Sequence, residues 1–353
     1  MPTNENGAPS ESEVVRLLRS GDLTFAPFRV AVLSSPERGP VRPDYVLELE
    51  WGDRRRRFAV EYKRLSTPKQ LEEAIQQAKR NAVGDLLPMV MVPYLRPSAL
   101  ARLVETETSG IDLSGNGFVT VPGEWFVYKT GERNKYPARA PIKAVYAGKS
   151  SLVGRVFLLC AQFESVTQVR DEIERRGVVL SLGTVSKVLR ALEDDLVIQR
   201  KPTIRAIQPD LLIEKLADNF REPVTSRVVT GRVESRDTFL ARAFENARRQ
   251  SVNLVGRSLE VYTTLPESQV TLYTTSAESV LQDTMFEETP RFSNVSVIET
   301  ADELVYFDAR LSDGYRWISP VQLYLQLVNG GKREQEIATQ LRVLIEATPA
   351  DVR

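Results

Sequence analysis

The sequence predicts a multidomain α/β (α+β) protein, on three observations. Residues 11–130 alternate helical and strand patterns around a hairpin at 42–64. Residues 131–149 carry Pro, Gly and basic residues without periodicity, as a basic linker does. Beyond them, helical and short β patterns resume over 150–208 and again over 209–353. At 353 residues the chain is long enough for two or three domains.

Residues 1–10 are polar and read as a frayed end. Glu11–Ser20 sets Val14, Leu17 and Leu18 on one face and stops at Gly21, a short helix. Phe28–Leu33 is a β-branched apolar strand, and Pro36–Pro40 a loop. Arg42–Arg64 reads as two strands joined at Gly52-Asp53, a Gly-X turn of the kind that closes antiparallel hairpins. Centring the turn there sets Glu50 opposite Arg55, Glu48 opposite Arg57, Val46 opposite Ala59 and Asp44 opposite Glu61. Alternation places these residues and Lys63 on one face, and Tyr45, Leu47, Leu49, Trp51, Phe58, Val60 and Tyr62 on a core face. Ser66-Thr67-Pro68 starts a helix with Leu71, Ile75, Ala78 and Ala82 inward and Gln70, Glu73, Gln77 and Arg80 outward. Leu87–Val92 is a buried strand and Ser98–Glu105 a helix. Gly110–Val121 is a strand, a Gly-rich turn shaped by Asp112, and a strand.

In the second half, Leu152–Phe163 reads as an apolar helix and Val166–Arg175 as a second, through Val169 and Ile173. Ser181 caps a third, with Leu182, Val185, Leu189 and Leu192 inward and Thr184, Ser186, Lys187 and Arg190 outward. Val197–Arg200 and Thr203–Ile207 flank Lys201-Pro202 as two short strands. Asp210–Phe220 and Thr238–Arg249 read as helices. Leu259–Tyr262, Val270–Thr274, Val295–Ile298 and Leu304–Phe307 read as strands, and Pro320–Glu346 as a final α segment.

Composition narrows the chemistry. Lysine plus arginine equals aspartate plus glutamate at 47 each, so any basic surface must be local. The single cysteine, Cys160, lies in an apolar pattern, which predicts a core thiol and no disulfide. No apolar run is long enough to span a membrane and no signal-peptide pattern is present, so a cytoplasmic protein without a membrane partner is expected. Histidine is absent, which excludes Ser-His-Asp and Cys-His catalysis and His-bearing metal sites. Carboxylates, lysine and a metal remain. Asp44 and Glu61 set two like charges side by side, which destabilises a sheet. A hard cation between them removes the conflict, because Mg²⁺ is held by one or two carboxylates plus phosphate oxygens. A solvated polar face is the other reading of the same residues. The run Arg54–Arg57 likewise reads as a solvated tip paired to Glu48 and Glu50, or as a phosphate contact through Arg54 and Arg56.

Pro43-Asp44 followed by Glu61-x-Lys63 on the next strand resembles the PD-(D/E)xK signature of restriction-endonuclease-like nucleases. The order helix, three strands, helix, strand, helix, strand over 11–130 is similar to their core. The resemblance implies a restriction-endonuclease-like fold with Asp44 and Glu61 as ligands of Mg²⁺ (or Mn²⁺). It makes Lys63 the cation that helps activate a water or stabilise the phosphate. In some relatives the next helix adds a Gln or Tyr, for which Gln70 and Gln77 stand here. Residues 150–208 resemble a winged helix-turn-helix of bacterial regulators, whose third helix lies in the major groove. That implies double-stranded DNA as partner, met by Thr184, Ser186, Lys187 and Arg190, with Lys201 in the wing; a winged helix used for protein contacts is the alternative. The phrase SPVQLYLQLVNGGKREQEIATQLR, after a Tyr-rich β region, resembles the C-terminal half of AbiEi-family antitoxins of type IV toxin–antitoxin systems. The similarity covers about residues 150–350, a mixed α+β domain from 209, with Gln326 where an Asp is usual. Two functions are therefore expected to compete. One is a Mg²⁺-dependent DNA endonuclease directed by a winged helix. The other is an AbiEi-like repressor or antitoxin that binds DNA without cleaving it, partnered by a cognate toxin or by self-association.

Overall fold

The computed structural model describes residues 8–21, 23–34, 42–64, 66–136, 144–265, 267 and 269–347; the expected loop Pro36–Pro40 lies outside them, with most of the expected frayed end and part of the expected linker. These residues form a mixed α/β protein of two compact units, one of the described residues before the 137–143 stretch together with Asp194–Leu196, the other of the remaining residues after it.

The first unit opens with α1 (Glu11–Arg19), whose Ser10 and Glu13 form a reciprocal capping box. Strand β1 (Arg29–Ser34) pairs antiparallel with β2 (Tyr45–Trp51), and β2 with β3 (Arg54–Tyr62), in the register that the Gly52-Asp53 turn predicts. Gly52 takes a φ of +65°, a left-handed value that glycine adopts without a Cβ penalty. After β3 the chain crosses through α2 (Pro68–Asn81) to β4 (Leu87–Val92), and through α3 (Pro97–Glu105) to β5 (Ser109–Asp112). Both crossovers give parallel neighbours. β6 (Gly117–Val121) and β7 (Trp125–Lys129) extend the sheet antiparallel, so the seven strands lie in sequence order.

Both faces of the sheet are covered. Tyr45, Leu47, Leu49, Phe58, Val60 and Tyr62 pack with Val14 and Leu18 of α1 on one side. On the other, Leu71, Ala74, Ile75 and Ala78 of α2 and Leu100 and Leu103 of α3 pack on Val90 and Val92. The polar face of the hairpin is therefore open near Glu48 and Glu50 but closed by α2 near Ala59 and Glu61. Trp51, expected in the core, is 44% exposed, because it ends β2 where the sheet runs out into the turn. β7 has no counterpart in the expected elements. Asp112 does shape its turn: its buried carboxylate accepts from the backbone N–H groups of Ser114, Gly115, Asn116 and Leu95 and from Asn116 Nδ2, at 2.6–2.8 Å.

The second unit begins with α4 (Ser151–Arg155), which tightens into a 3₁₀ turn over 156–158. The expected helix Leu152–Phe163 stops there, because β8 (Gln162–Phe163) is drawn into a small sheet. α5 (Val166–Arg175) and α6 (Leu182–Asp194) follow, then β9 (Ile198–Gln199) and β10 (Ile204–Ala206), with strand order β8-β10-β9. Val185, Val188, Leu189 and Leu192 of α6 are buried, whereas Leu182, in its first turn, is 43% exposed.

From there run α7 (Pro209–Asp218), β11 (Arg227–Arg232), α8 (Arg236–Gln250), β12 (Leu254–Arg257), β13 (Val270–Thr274), α9 (Ala277–Leu281), β14 (Glu287–Glu288) and β15 (Val295–Glu299). The chain ends with α10 (Glu303–Tyr306), β16 (Arg310–Ser312), β17 (Tyr315–Trp317), α11 (Pro320–Leu327) and α12 (Lys332–Glu346). The strands order as β14-β11-β15-β13-β12-β17-β16, with β13–β15 and β12–β17 parallel. Leu259–Tyr262 is a turn rather than a strand, closed by the Tyr262 and Thr263 N–H groups on the Leu259 carbonyl. The strand lies earlier, at β12, where Gly256 admits the Trp317 ring against its backbone. Leu304–Phe307 is largely helical rather than extended, since the Asp302 carboxylate caps the Leu304 N–H at 3.1 Å. The final α segment breaks at Val328–Gly331.

One core runs through residues 150–208 and 209–353 alike, from Leu152 and Val188 to Phe307 and Leu341. Polar links reinforce it. Arg176, following α5, bonds Glu172 at 2.7 Å and also pairs with Asp308. Burial works against the Glu172 charge, but hydrogen bonds from Arg175 and Arg176 outweigh it and hold the carboxyl at about 2. Arg155 is fully enclosed; its Nη1 donates to Gln322 Oε1 at 2.7 Å, and burial pulls its pKa down to about 10.

Candidate functional site

The hairpin register carries Asp44 and Glu61 side by side. Asp44 immediately precedes β2; its N–H donates to the Val60 carbonyl at 3.0 Å, and its Oδ2 accepts from the Tyr62 N–H at 2.8 Å. Glu61 sits on β3 opposite Val90 of β4 and beneath α2, and is 4% exposed. Lys63 follows with its N–H on the Met91 carbonyl at 3.0 Å. Its ammonium donates to Gln77 Oε1 of α2 at 2.5 Å. The structure thus assembles Asp44, Glu61 and Lys63 at one corner of the sheet, with α2 as its roof.

The electrostatics follow from that roof. Burial first, then the Asp44 charge, push the Glu61 carboxyl up to about 7, while the Asn81 hydrogen bond and the Lys63 charge pull it down. A surface hairpin face would produce neither of the raising effects at this size. Two carboxylates offer oxygen donors of the kind Mg²⁺ and Mn²⁺ take, and no histidine or thiol competes. Among the described residues, no three His, Cys, Asp or Glu side chains gather as a metal-binding group; this corner brings together two carboxylates.

Of the two glutamines considered, Gln77 reaches Lys63, whereas Gln70 lies in the capped first turn of α2. Asn81 escaped the sequence reading altogether. It donates to Glu61 Oε1 and, at 3.0 Å, to the Arg42 carbonyl. Its signal was the spacing of four from Gln77, which puts both amides on one helix face.

The arginine run is largely paired. Arg55 meets Glu50 and Arg57 meets Glu48, each at 3.4 Å, and Arg56 bridges to Glu124 beyond β6. A groove lined by Glu48, Arg55, Arg57 and Asp85 opens at that end of the hairpin, away from Asp44 and Glu61.

The residues expected to meet DNA belong to the second unit. On α6, Lys187 and Arg190 are exposed, while Thr184 and Ser186 are half-buried. Thr184 is engaged in the helix cap, its N–H on Ser181 Oγ at 3.1 Å and its hydroxyl 2.9 Å from the same atom. Lys201 is exposed between β9 and β10. No protein-family model matches the chain, and no curated protein matches it.

Proposed function

We propose that the protein is a DNA-binding phosphodiesterase, a Mg²⁺- or Mn²⁺-dependent DNA endonuclease with a PD-(D/E)xK core in the first unit and a winged helix over 150–208. The observation that carries this reading is the carboxylate pair. Asp44 and Glu61 are opposed beside α2, where burial of Glu61 and the neighbouring Asp44 charge both oppose ionisation of Glu61. The nearby ammonium of Lys63 is held by Gln77. A divalent cation bound there supplies charge neutralisation and acidifies a water.

The protein's own groups do the rest. Asp44 and Glu61 present acceptor oxygens at a fixed separation set by the hairpin register. Gln77 takes one of the three N–H groups of Lys63 and holds the chain, leaving two for a phosphoryl oxygen and the attacking water. In hydrolysis that water adds its oxygen to phosphorus, the bond to the leaving sugar oxygen breaks, and that oxygen gains a proton. A cation placed at the phosphate stabilises the charge that develops. The exposed Lys187 and Arg190 of α6 suit the grip on duplex DNA. They suit equally a second reading, an AbiEi-like regulator that binds DNA without cleaving it.

Lys63→Ala separates the two. It leaves both carboxylates in place, so metal and DNA affinities are expected to persist while cleavage falls about 10²–10³-fold. Supercoiled, linear and single-stranded DNA incubated with Mg²⁺ or Mn²⁺ and followed by gel give the readout. Wild type and variant alike on every substrate would sink the nuclease reading in favour of the regulator.

A further inference from the structure

A single amide ties the two carboxylate-bearing segments together. Asn81, the last residue of α2, sends its Nδ2 to Glu61 Oε1 and to the carbonyl of Arg42, just upstream of Asp44. An amide nitrogen has two N–H groups, so both are used. On the other carboxylate, the Tyr62 N–H occupies Asp44 Oδ2. Among the described residues, Glu61 Oε2 and Asp44 Oδ1 are the oxygens left without an N–H donor. The pair is thus arranged to offer a cation one oxygen from each side chain.

That arrangement distinguishes between hard cations. Mg²⁺ demands near-octahedral geometry at about 2.0–2.1 Å and suits single-oxygen carboxylate ligands. Ca²⁺ takes about six to eight oxygens and commonly grips a carboxylate through both. We propose that Asn81 is a positioning residue that sets the metal preference of the pair, holding Glu61 to one-oxygen ligation and so favouring Mg²⁺ over Ca²⁺. The inference rests on the metal reading of Asp44 and Glu61. Without the Asn81 N–H, Glu61 Oε1 becomes available and the carboxylate is able to chelate the larger ion.

The test is calorimetric titration of the full chain with MgCl₂ and with CaCl₂ at one fixed pH, with no DNA present. Wild type, Asn81→Ala, Asn81→Leu and Asp44→Ala are compared. The leucine fills the asparagine volume without its N–H groups, so lost packing and lost hydrogen bonds are told apart. Both Asn81 variants are expected to move the Mg²⁺/Ca²⁺ affinity ratio about tenfold or more toward Ca²⁺, the size typical of groups that orient a metal ligand. A ratio that stays at the wild-type value, even with weaker binding of both ions, overturns the role of Asn81, as does a shift confined to the alanine variant. Mg²⁺ binding that is absent from wild type, or that survives Asp44→Ala, overturns the metal reading itself and this inference with it.

Discussion

Replacing Glu61 by Gln tests the buried pair without substrate or metal. The Glu61 carboxyl titrates near 7 in the fold against an ordinary value of 4.5. The folded state therefore holds this proton more tightly than the unfolded chain. Stability from the group is complete below about 4.5 and is lost as pH rises through about 7. The interval corresponds to about 3 kcal/mol. Glutamine stays neutral at every pH and keeps an oxygen for the Asn81 N–H. Urea unfolding in chelator should thus give equal stabilities for wild type and Glu61→Gln near pH 4 (about the ordinary carboxyl range), with the variant gaining up to about 3 kcal/mol by about pH 8. The difference between the two curves isolates this group from others titrating in the same window. Saturating Mg²⁺ should narrow the gap by stabilising wild type alone. A difference curve that is flat from about pH 5 to about pH 8 would refute both the burial and the repulsion assigned to Glu61.

Three further outcomes follow from other parts of the molecule. Lys187→Ala with Arg190→Ala should weaken duplex binding and flatten the salt dependence by about one unit per lost phosphate contact, read from filter binding across a salt series; an unchanged slope and affinity would move the DNA surface off α6. Asp112→Ala strands the five N–H groups gathered on its carboxylate and should cost at least about 3 kcal/mol in urea unfolding, whereas a loss under about 1 kcal/mol would mean that the turn holds without them. Arg155→Met alone should destabilise by about 1–3 kcal/mol because Gln322 loses its partner, while Arg155→Met with Gln322→Leu should match or exceed wild type in thermal melting.

What the sequence could disclose depended on how local the deciding interactions are. The exposure of Trp51 at the turn end was not legible, but the register of the 42–64 hairpin was, because one Gly-X turn fixes it and alternation then assigns the faces. That sufficed to bring Asp44, Glu61 and Lys63 together. It did not reveal that α2 covers the Glu61 end of the polar face, since the path of a crossover helix is a tertiary fact. Asn81 went unread for the same reason: its partners are 20 and 39 residues away. Leu304–Phe307 looked extended by composition, and one capping carboxylate at Asp302 turned it into a helix. Leu254–Arg257 was missed because its glycine, which makes room for Trp317, also breaks the apolar pattern of the strand.

The two influences on Glu61 differ in range, and that gives them separate places on the folding pathway. Its meeting with Asp44 is an intra-hairpin contact, closed by a short turn, and short loops close early. Its enclosure comes from α2 and from β4, which arrive only when the crossover is complete. With Glu61 ionised, repulsion should slow refolding, and enclosure should appear as faster unfolding. A chevron of Glu61→Gln in alkaline chelator would then shift in both arms, the folding arm reporting charge and the unfolding arm reporting solvation. Movement of the unfolding arm alone would place the pairing of the hairpin after the rate-limiting step, making the most local contact in the sheet one of the last to form.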